Sequence, residues 1–295
     1  MKRSTIIRDI ILTARPLHYT KNLIVYGPIV FSRHFQVFSE LSKVLFTFLS
    51  FCLAASAIYF ANDIFDRKED QIHPEKKNRP IASGRLPVKQ AVIVNIICMA
   101  SSIAIAVKFV NPLTTFIVAG YILINLLYSW KLKHIVLIDI FIISLGFLFR
   151  VIAGGTAIHV EISEWILLCV ILLSLFLALA KRRGELINAD FSLTSTTRKV
   201  LVHYNEKFLD QMIVVVAALT IISYCLYTIL NDNFDHLLYS SPFVLFGIFR
   251  YLYIIYIEKG GEKPEKEMLK DKTILSTILL WCLSVIIIIR FFNDF

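Results

Sequence analysis

Residues 41–61, LSKVLFTFLSFCLAASAIYFA, run without a spacer into Asn62-Asp63-Ile64-Phe65-Asp66-Arg67-Lys68-Glu69-Asp70. About 20 apolar residues are enough to cross a bilayer as a helix. This one delivers three carboxylates at its polar end. Asp63, Asp66 and Asp70, spaced i, i+3 and i+7, fall on one face of a continuous helix. Three clustered carboxylates repel one another, and a divalent cation relieves that repulsion. Mg2+ takes oxygen ligands and usually brings phosphate groups with it. The alternative, a solvated mixed-charge helix end, sits poorly with acids that abut a membrane span directly.

The apolar character continues along the chain. Of 295 residues, 57% are hydrophobic, which is too apolar for a soluble domain. No polar stretch is long enough to build a separate core, so residues 1–295 read as a single all-α integral membrane domain. Clear spans occupy 41–61, 91–110, 113–130, 136–158, 165–180, 212–230, 238–257 and 274–292. A shorter one at 21–31 contains Gly27-Pro28 and extends to 38 if it kinks. Nine transmembrane helices are expected. Residues 1–22 read as an amphipathic segment on the membrane surface, with Ile6, Ile7, Ile10, Ile11 and Ala14 at helical spacing. This segment has no signal-peptide pattern.

Charge sets the orientation. The net charge is +9, but 25 of the 31 Lys and Arg fall in one alternating set of loops: 1–22, 62–89, 129–135, 181–208 and 258–272. By the positive-inside rule these loops face the cytoplasm, with the N-terminus inside and the C-terminus outside. The expected location is the plasma (inner) membrane, with the active site facing the cytoplasm. The basic balance is thereby accounted for without a nucleic-acid partner. The five cysteines lie in apolar runs with no metal-ligand spacing.

The candidate ligands lie on the cytoplasmic side. Asn62 opens the acidic loop, which continues to Arg79, fixed between Asn78 and Pro80. An acidic metal site followed by a guanidinium suits a metal–pyrophosphate. Lys181-Arg182-Arg183-Gly184-Glu185 begins the basic loop 181–208 at a span's end. It reads as a phosphate site, or as a membrane anchor through snorkelling side chains. Tyr128, Lys131 and Lys133 form a smaller group of the same kind. Asp139 and Arg150 lie eleven residues apart on nearly one helix face, separated by ~16 Å of rise. Arg150 falls near mid-span, and such residues usually face the bundle interior. Gly154-Gly155 permits a close helix approach.

The motif NDxxDxxxD at residues 62–70, followed by Arg79-Pro80-Ile81-Ala82-Ser83-Gly84, resembles the UbiA superfamily of intramembrane prenyltransferases. Within it the chain is most similar to the branch of decaprenyl-phosphate phosphoribosyltransferases. Four stretches carry that likeness: Arg15 to Asn22, Asn62 to Gly84, Leu132-Lys133-His134 with Asp139 and Arg150 to Gly154, and Leu177 to Leu186. Arg250-Tyr251 and Asp271 are consistent with it. Aromatic prenyltransferases carry a second Asp-rich motif where this chain has Lys181, Arg182, Arg183 and Glu185.

The resemblance implies a UbiA-like helical bundle and Mg2+-dependent transfer of 5-phosphoribose from phosphoribosyl pyrophosphate to a polyprenyl phosphate. Asp63, Asp66 and Asp70 would hold the metal and the leaving pyrophosphate. Lys21, Asn62, Arg79, Tyr128, Lys133, Arg150, Lys181, Arg182, Arg183 and Glu185 would bind the two phosphate-bearing substrates. Self-association into a homo-oligomer is compatible with the sequence. Two other readings stay open at this point. One is prenyl transfer to an aromatic or quinone-precursor acceptor. The other is transport of an anionic solute using Arg150 and Arg250, although no internal repeat supports it.

Overall fold

The computed structural model describes residues 3–32, 37–188, 199–230 and 236–291. Among the described residues every regular element is helical. The chain opens with α1 (Arg3–Ala14), a 3-10 run (Pro16–Tyr26), α2 (Gly27–Phe31), α3 (Phe38–Phe65) and α4 (Arg67–Ile72). It continues through α5 (Val88–Phe109), α6 (Pro112–Trp130), α7 (Ile138–Ala157), α8 (Glu164–Ile187) and α9 (Glu206–Ile229). It closes with α10 (Ser241–Tyr256), α11 (Pro264–Lys270) and α12 (Lys272–Phe291). Eight helical segments among the described residues are long and apolar enough to cross a membrane. The chain is a multi-pass membrane protein.

Local chemistry sets several boundaries. Asn111 caps α6 by accepting from the Thr114 amide at 2.8 Å, with Pro112 in the first turn where a missing N–H costs nothing. Asn205 caps α9 in the same way, accepting from Phe208 N at 2.7 Å. α3 has 28 residues. At ~1.5 Å per residue it is about 42 Å long, against ~30 Å of hydrocarbon, so its C-terminal turns extend into the polar region.

The helices form two compact units, α1–α7 and α8–α12. In the first, α3 packs against α1, α5, α6 and α7. Its core gathers Val25, Ile29, Phe51, Ala54, Val118, Tyr121, Ala153 and Ala157. In that apolar interior Ser50 and Ser102 donate to each other's carbonyl oxygens at 2.9 and 2.8 Å, joining α3 to α5. Residue 154 is glycine because a Cβ there would lie on the Val25 carbonyl oxygen, so the 3-10 run presses directly onto α7. In the second unit α8 lies along α9, α10 packs on α9 and α12, and α11 bridges α8 and α12. Tyr224, hydrogen-bonded to Ser240 and Trp281, ties α9 and α12 to the start of α10.

Three features depart from the sequence expectations. Residues 21–31, expected as a first span, are the end of the 3-10 run and the five-residue α2, broken at Gly27-Pro28. Residues 33–36, part of the extension to 38, lie outside the described residues. The single face carrying three aspartates is interrupted, because α3 stops at Phe65 and Asp66 takes φ −86°, ψ 3° before α4 begins. Finally, α1 does not offer its whole apolar stripe outward. Ile6, Ile10 and Ala14 pack on Phe60, Ile81, Leu86 and Ala91, while Ile7, Ile11 and Leu12 stay exposed.

Candidate active site

The site is built where α3 runs into α4. Asp66 N bonds to Asn62 O at 2.9 Å and Asp70 N to Asp66 O at 2.8 Å, so helical pairing bridges the junction. Asp63 and Asp70 are nevertheless brought together, and both are buried, 2% and 3% exposed. One nitrogen of Arg79 closes them. Its Nη1 donates to Asp63 Oδ1 at 3.1 Å and to Asp70 Oδ2 at 2.8 Å. Asp66, at the junction, is paired with Lys133 instead.

A second guanidinium completes the cluster. Arg15 Nη2 donates to Asp63 Oδ1 at 2.6 Å, and its guanidinium lies 4.9 Å from the centre of the Tyr59 ring. Tyr59 in turn is hydrogen-bonded to His18 at 3.2 Å. Arg15 reaches this position from a left-handed backbone, φ 52°, ψ 61°. Such a conformation immediately before a proline costs ~1–3 kcal/mol and persists only where the surroundings enforce it. The surrounding loop is held by α1, because Asp9, nearly buried, accepts from Arg85 Nε at 3.2 Å. Burial pushes the Asp70 carboxyl above its ordinary range against the pull of Arg79, and the charge of Asp63 adds to the rise.

Among the described residues no three His, Cys, Asp or Glu side chains are arranged to hold a metal by protein ligands alone. The Asp63–Asp70 pair still fits a magnesium ion. Mg2+ usually takes one or two carboxylates and fills its octahedron with water and substrate phosphate. Two carboxylates that converge on one cationic nitrogen are such a donor set. Asp66 is not part of that convergence.

The other expected residues divide. Asn62 and Tyr128 are half-buried near the ends of α3 and α6, and Lys21 is half-buried in the 3-10 run. Lys133 is nearly buried on Asp66. Arg150 is remote from the carboxylates in its bonding. It donates to Asn22 Oδ1 (2.6 Å), Gly146 O (2.6 Å) and Tyr121 OH (2.9 Å).

The two arginines of the 181–183 run are occupied. Arg182, 1% exposed, is paired with Glu185 at 2.5 Å. Arg183 donates to Asp210 (2.5 Å), Glu206 (2.8 Å) and Ile255 O (3.3 Å), and lies over the Tyr256 ring. Lys181 is half-buried beside them. Arg15 and Asn22 were not among the expected site residues, and the sequence marks them only as the two ends of the first stretch that carries the family likeness.

The sequence profile described as the UbiA prenyltransferase family matches residues 29–270. The chain belongs to the UbiA prenyltransferase family. A decaprenyl-phosphate phosphoribosyltransferase of Mycolicibacterium smegmatis is 31% identical over 290 residues, covering 94% of this UbiA-family chain and 91% of the relative. One from Corynebacterium glutamicum is 32% identical over 281 residues, covering 92% and 84%. The fold also matches a UbiA homologue from Archaeoglobus fulgidus solved with DMAPP and Mg2+. The TM-score is 0.76 at 18% identity, covering 94% of this chain and 99% of that one.

Proposed function

We propose that this UbiA-family transferase moves 5-phosphoribose from phosphoribosyl pyrophosphate to a polyprenyl phosphate. The products are pyrophosphate and a polyprenyl-phosphoryl 5-phosphoribose. The observation that carries the reading is the convergence of Asp63 and Asp70 on one cationic nitrogen, in a chain that matches relatives named for this reaction along most of its length.

In this reading Asp63 and Asp70 take the Mg2+ of the donor, with Asp66 beside them. The ion, when bound, neutralises charge that grows on the departing pyrophosphate. Arg79 and Arg15 hand their hydrogen bonds from the carboxylates to phosphate oxygens as the donor arrives, and Lys21 adds charge. The C1–O bond to pyrophosphate breaks and a new C1–O bond forms to the acceptor's phosphate, with inversion at C1. A phosphate monoester, with a second pKa of about 6, is already ionised at neutral pH, so no strong general base is needed. For the acceptor's phosphate we propose the Lys181–Arg183 run, with Arg182 and Arg183 exchanging their carboxylate partners Glu185, Glu206 and Asp210 for phosphate oxygens. The active end faces the cytoplasm, where the water-soluble donor is found.

The test is to incubate purified protein with Mg2+, ribose-labelled phosphoribosyl pyrophosphate and polyprenyl phosphate, then extract with organic solvent. Label in the organic phase, dependent on both substrates, supports the reading. Label confined to water, together with prenyl transfer from a prenyl diphosphate to an aromatic acid, would overturn it.

A further inference from the structure

Arg150 carries a charge into the interior of α7 with no carboxylate partner among the described residues. It is 7% exposed and stacked by three aromatic rings, with Phe51, Tyr121 and Phe147 all within 6 Å of its guanidinium carbon. An arginine at this depth is costly unless it does something. Of its two shortest contacts, one stays within α7 at Gly146 O and the other crosses to the 3-10 run. Nε is 2.6 Å from Oδ1 of Asn22, which is fully buried.

That run needs holding. It spans eleven residues, Pro16–Tyr26, whereas 3-10 stretches beyond 3–4 residues are uncommon because their hydrogen bonds are poorly aligned. The neighbouring helices therefore clamp it. Asn22 reaches Arg150 and Cys52, Tyr19 reaches Ser56 at 2.7 Å, and the Val25 carbonyl presses on Gly154. The run carries Lys21 and follows directly on Arg15, the residue held against Asp63.

We infer that Arg150 is a positioning residue. By gripping Asn22 it fixes the 3-10 run that sets Arg15 and Lys21 relative to the carboxylates, and so governs donor binding without touching the donor. This rests on the function proposed above. It also replaces the sequence expectation that Arg150 binds substrate.

The test uses the full chain in detergent or nanodiscs and reads two quantities. The first needs no activity: the reaction of Lys21 with an amine reagent, followed by mass spectrometry. Arg150→Gln and Asn22→Leu release the run, and labelling of Lys21 rises several-fold. Asn22→Asp restores a charge-assisted acceptor for the same guanidinium and keeps labelling at the wild-type level. The second quantity is kinetic. Arg150→Gln raises KM for phosphoribosyl pyrophosphate about tenfold and leaves KM for polyprenyl phosphate unchanged.

Gly154→Val drives the run off α7 without altering Arg150, and carries the test if Arg150→Gln does not fold. Unchanged Lys21 labelling in both Arg150→Gln and Gly154→Val overturns the inference. So does a KM effect confined to the lipid phosphate, which would make Arg150 an anion ligand. If wild-type protein transfers no phosphoribose, the proposed function fails while the labelling still decides the tether.

Discussion

Arg15 Nη2 lies 2.6 Å from Asp63 Oδ1, although 48 residues separate the two in sequence. Asp63 is 2% exposed and shares the same oxygen with Arg79. Three charges therefore settle one another at the end of α3. Replacing Arg15 with Gln leaves the Asp63 carboxylate buried with one guanidinium. The expected loss is about 1–3 kcal/mol of stability, the range for under-satisfied buried polar groups. Asp63→Asn removes the charge that Arg15 balances. The double variant should then recover part of the loss, with a coupling of about 1–2 kcal/mol. Thermal denaturation in detergent of the wild type, both single variants and the double variant measures it. Strict additivity would mean that the contact contributes nothing.

The carboxylates predict a graded pattern of activity. Asp63 and Asp70 converge on one point, whereas Asp66 is drawn to Lys133. Asp63→Asn and Asp70→Asn should each lower phosphoribosyl transfer by about 100-fold or more, the size of effect seen when one electrostatic stabiliser is removed. Asp66→Asn should cost less. Chelation of Mg2+ with EDTA should abolish transfer, and re-addition should restore it. Equal losses at all three positions would instead point to three equivalent ligands.

A pH dependence of stability is expected in the second unit. Asp271 lies between α11 and α12 and accepts from Arg250 at 2.6 Å, which holds its carboxyl below the ordinary 3.8. A depressed folded-state value means that the unfolded chain binds the proton more readily. The stabilisation is therefore complete above about pH 4–5 and is lost as pH falls through the folded value. Melting temperature measured from pH 6 to pH 3 should fall more steeply for wild type than for Asp271→Asn. Parallel curves would show that this pair does not contribute.

What could be read in the chain follows physical range. The spans were legible because bilayer thickness converts directly into apolar length, as with α3 and α8. The acidic cluster was legible because its members lie within eight residues of each other. The interruption at Asp66 was not, because nothing in Phe65-Asp66-Arg67 forbids a continuous helix. Partners distant in sequence were also hidden. Arg15 finds Asp63, and Asn22 finds Arg150 128 residues away. The basic run at 181–183 read as uncompensated charge because, Glu185 apart, its counter-charges lie further along the chain. Glu206 and Asp210 meet Arg183 from 23 and 27 residues further on. A local pattern states what charge is present, and only the fold states what has already neutralised it.

The course of the chain through the membrane gives a last prediction. Eight helical segments among the described residues are long and apolar enough to span, and an even number of crossings would leave both ends on one side. The basic residues demand the opposite. With 25 of 31 Lys and Arg in alternate loops, the positive-inside rule puts residue 2 inside and the end of α12 outside. Both hold if residues 16–31 make a ninth crossing as the 3-10 run and α2. A 3-10 helix rises ~2 Å per residue and an α-helix ~1.5 Å, so these elements reach about 30 Å if extended in line. The reach equals the hydrocarbon thickness despite the short sequence. Single cysteines check this: introduced at the exposed Arg8 and Glu75, both should be shielded from an impermeant thiol reagent applied to intact cells. Labelling at one of the two positions and not the other would put α1 and residue 75 on opposite sides and contradict the nine-crossing course.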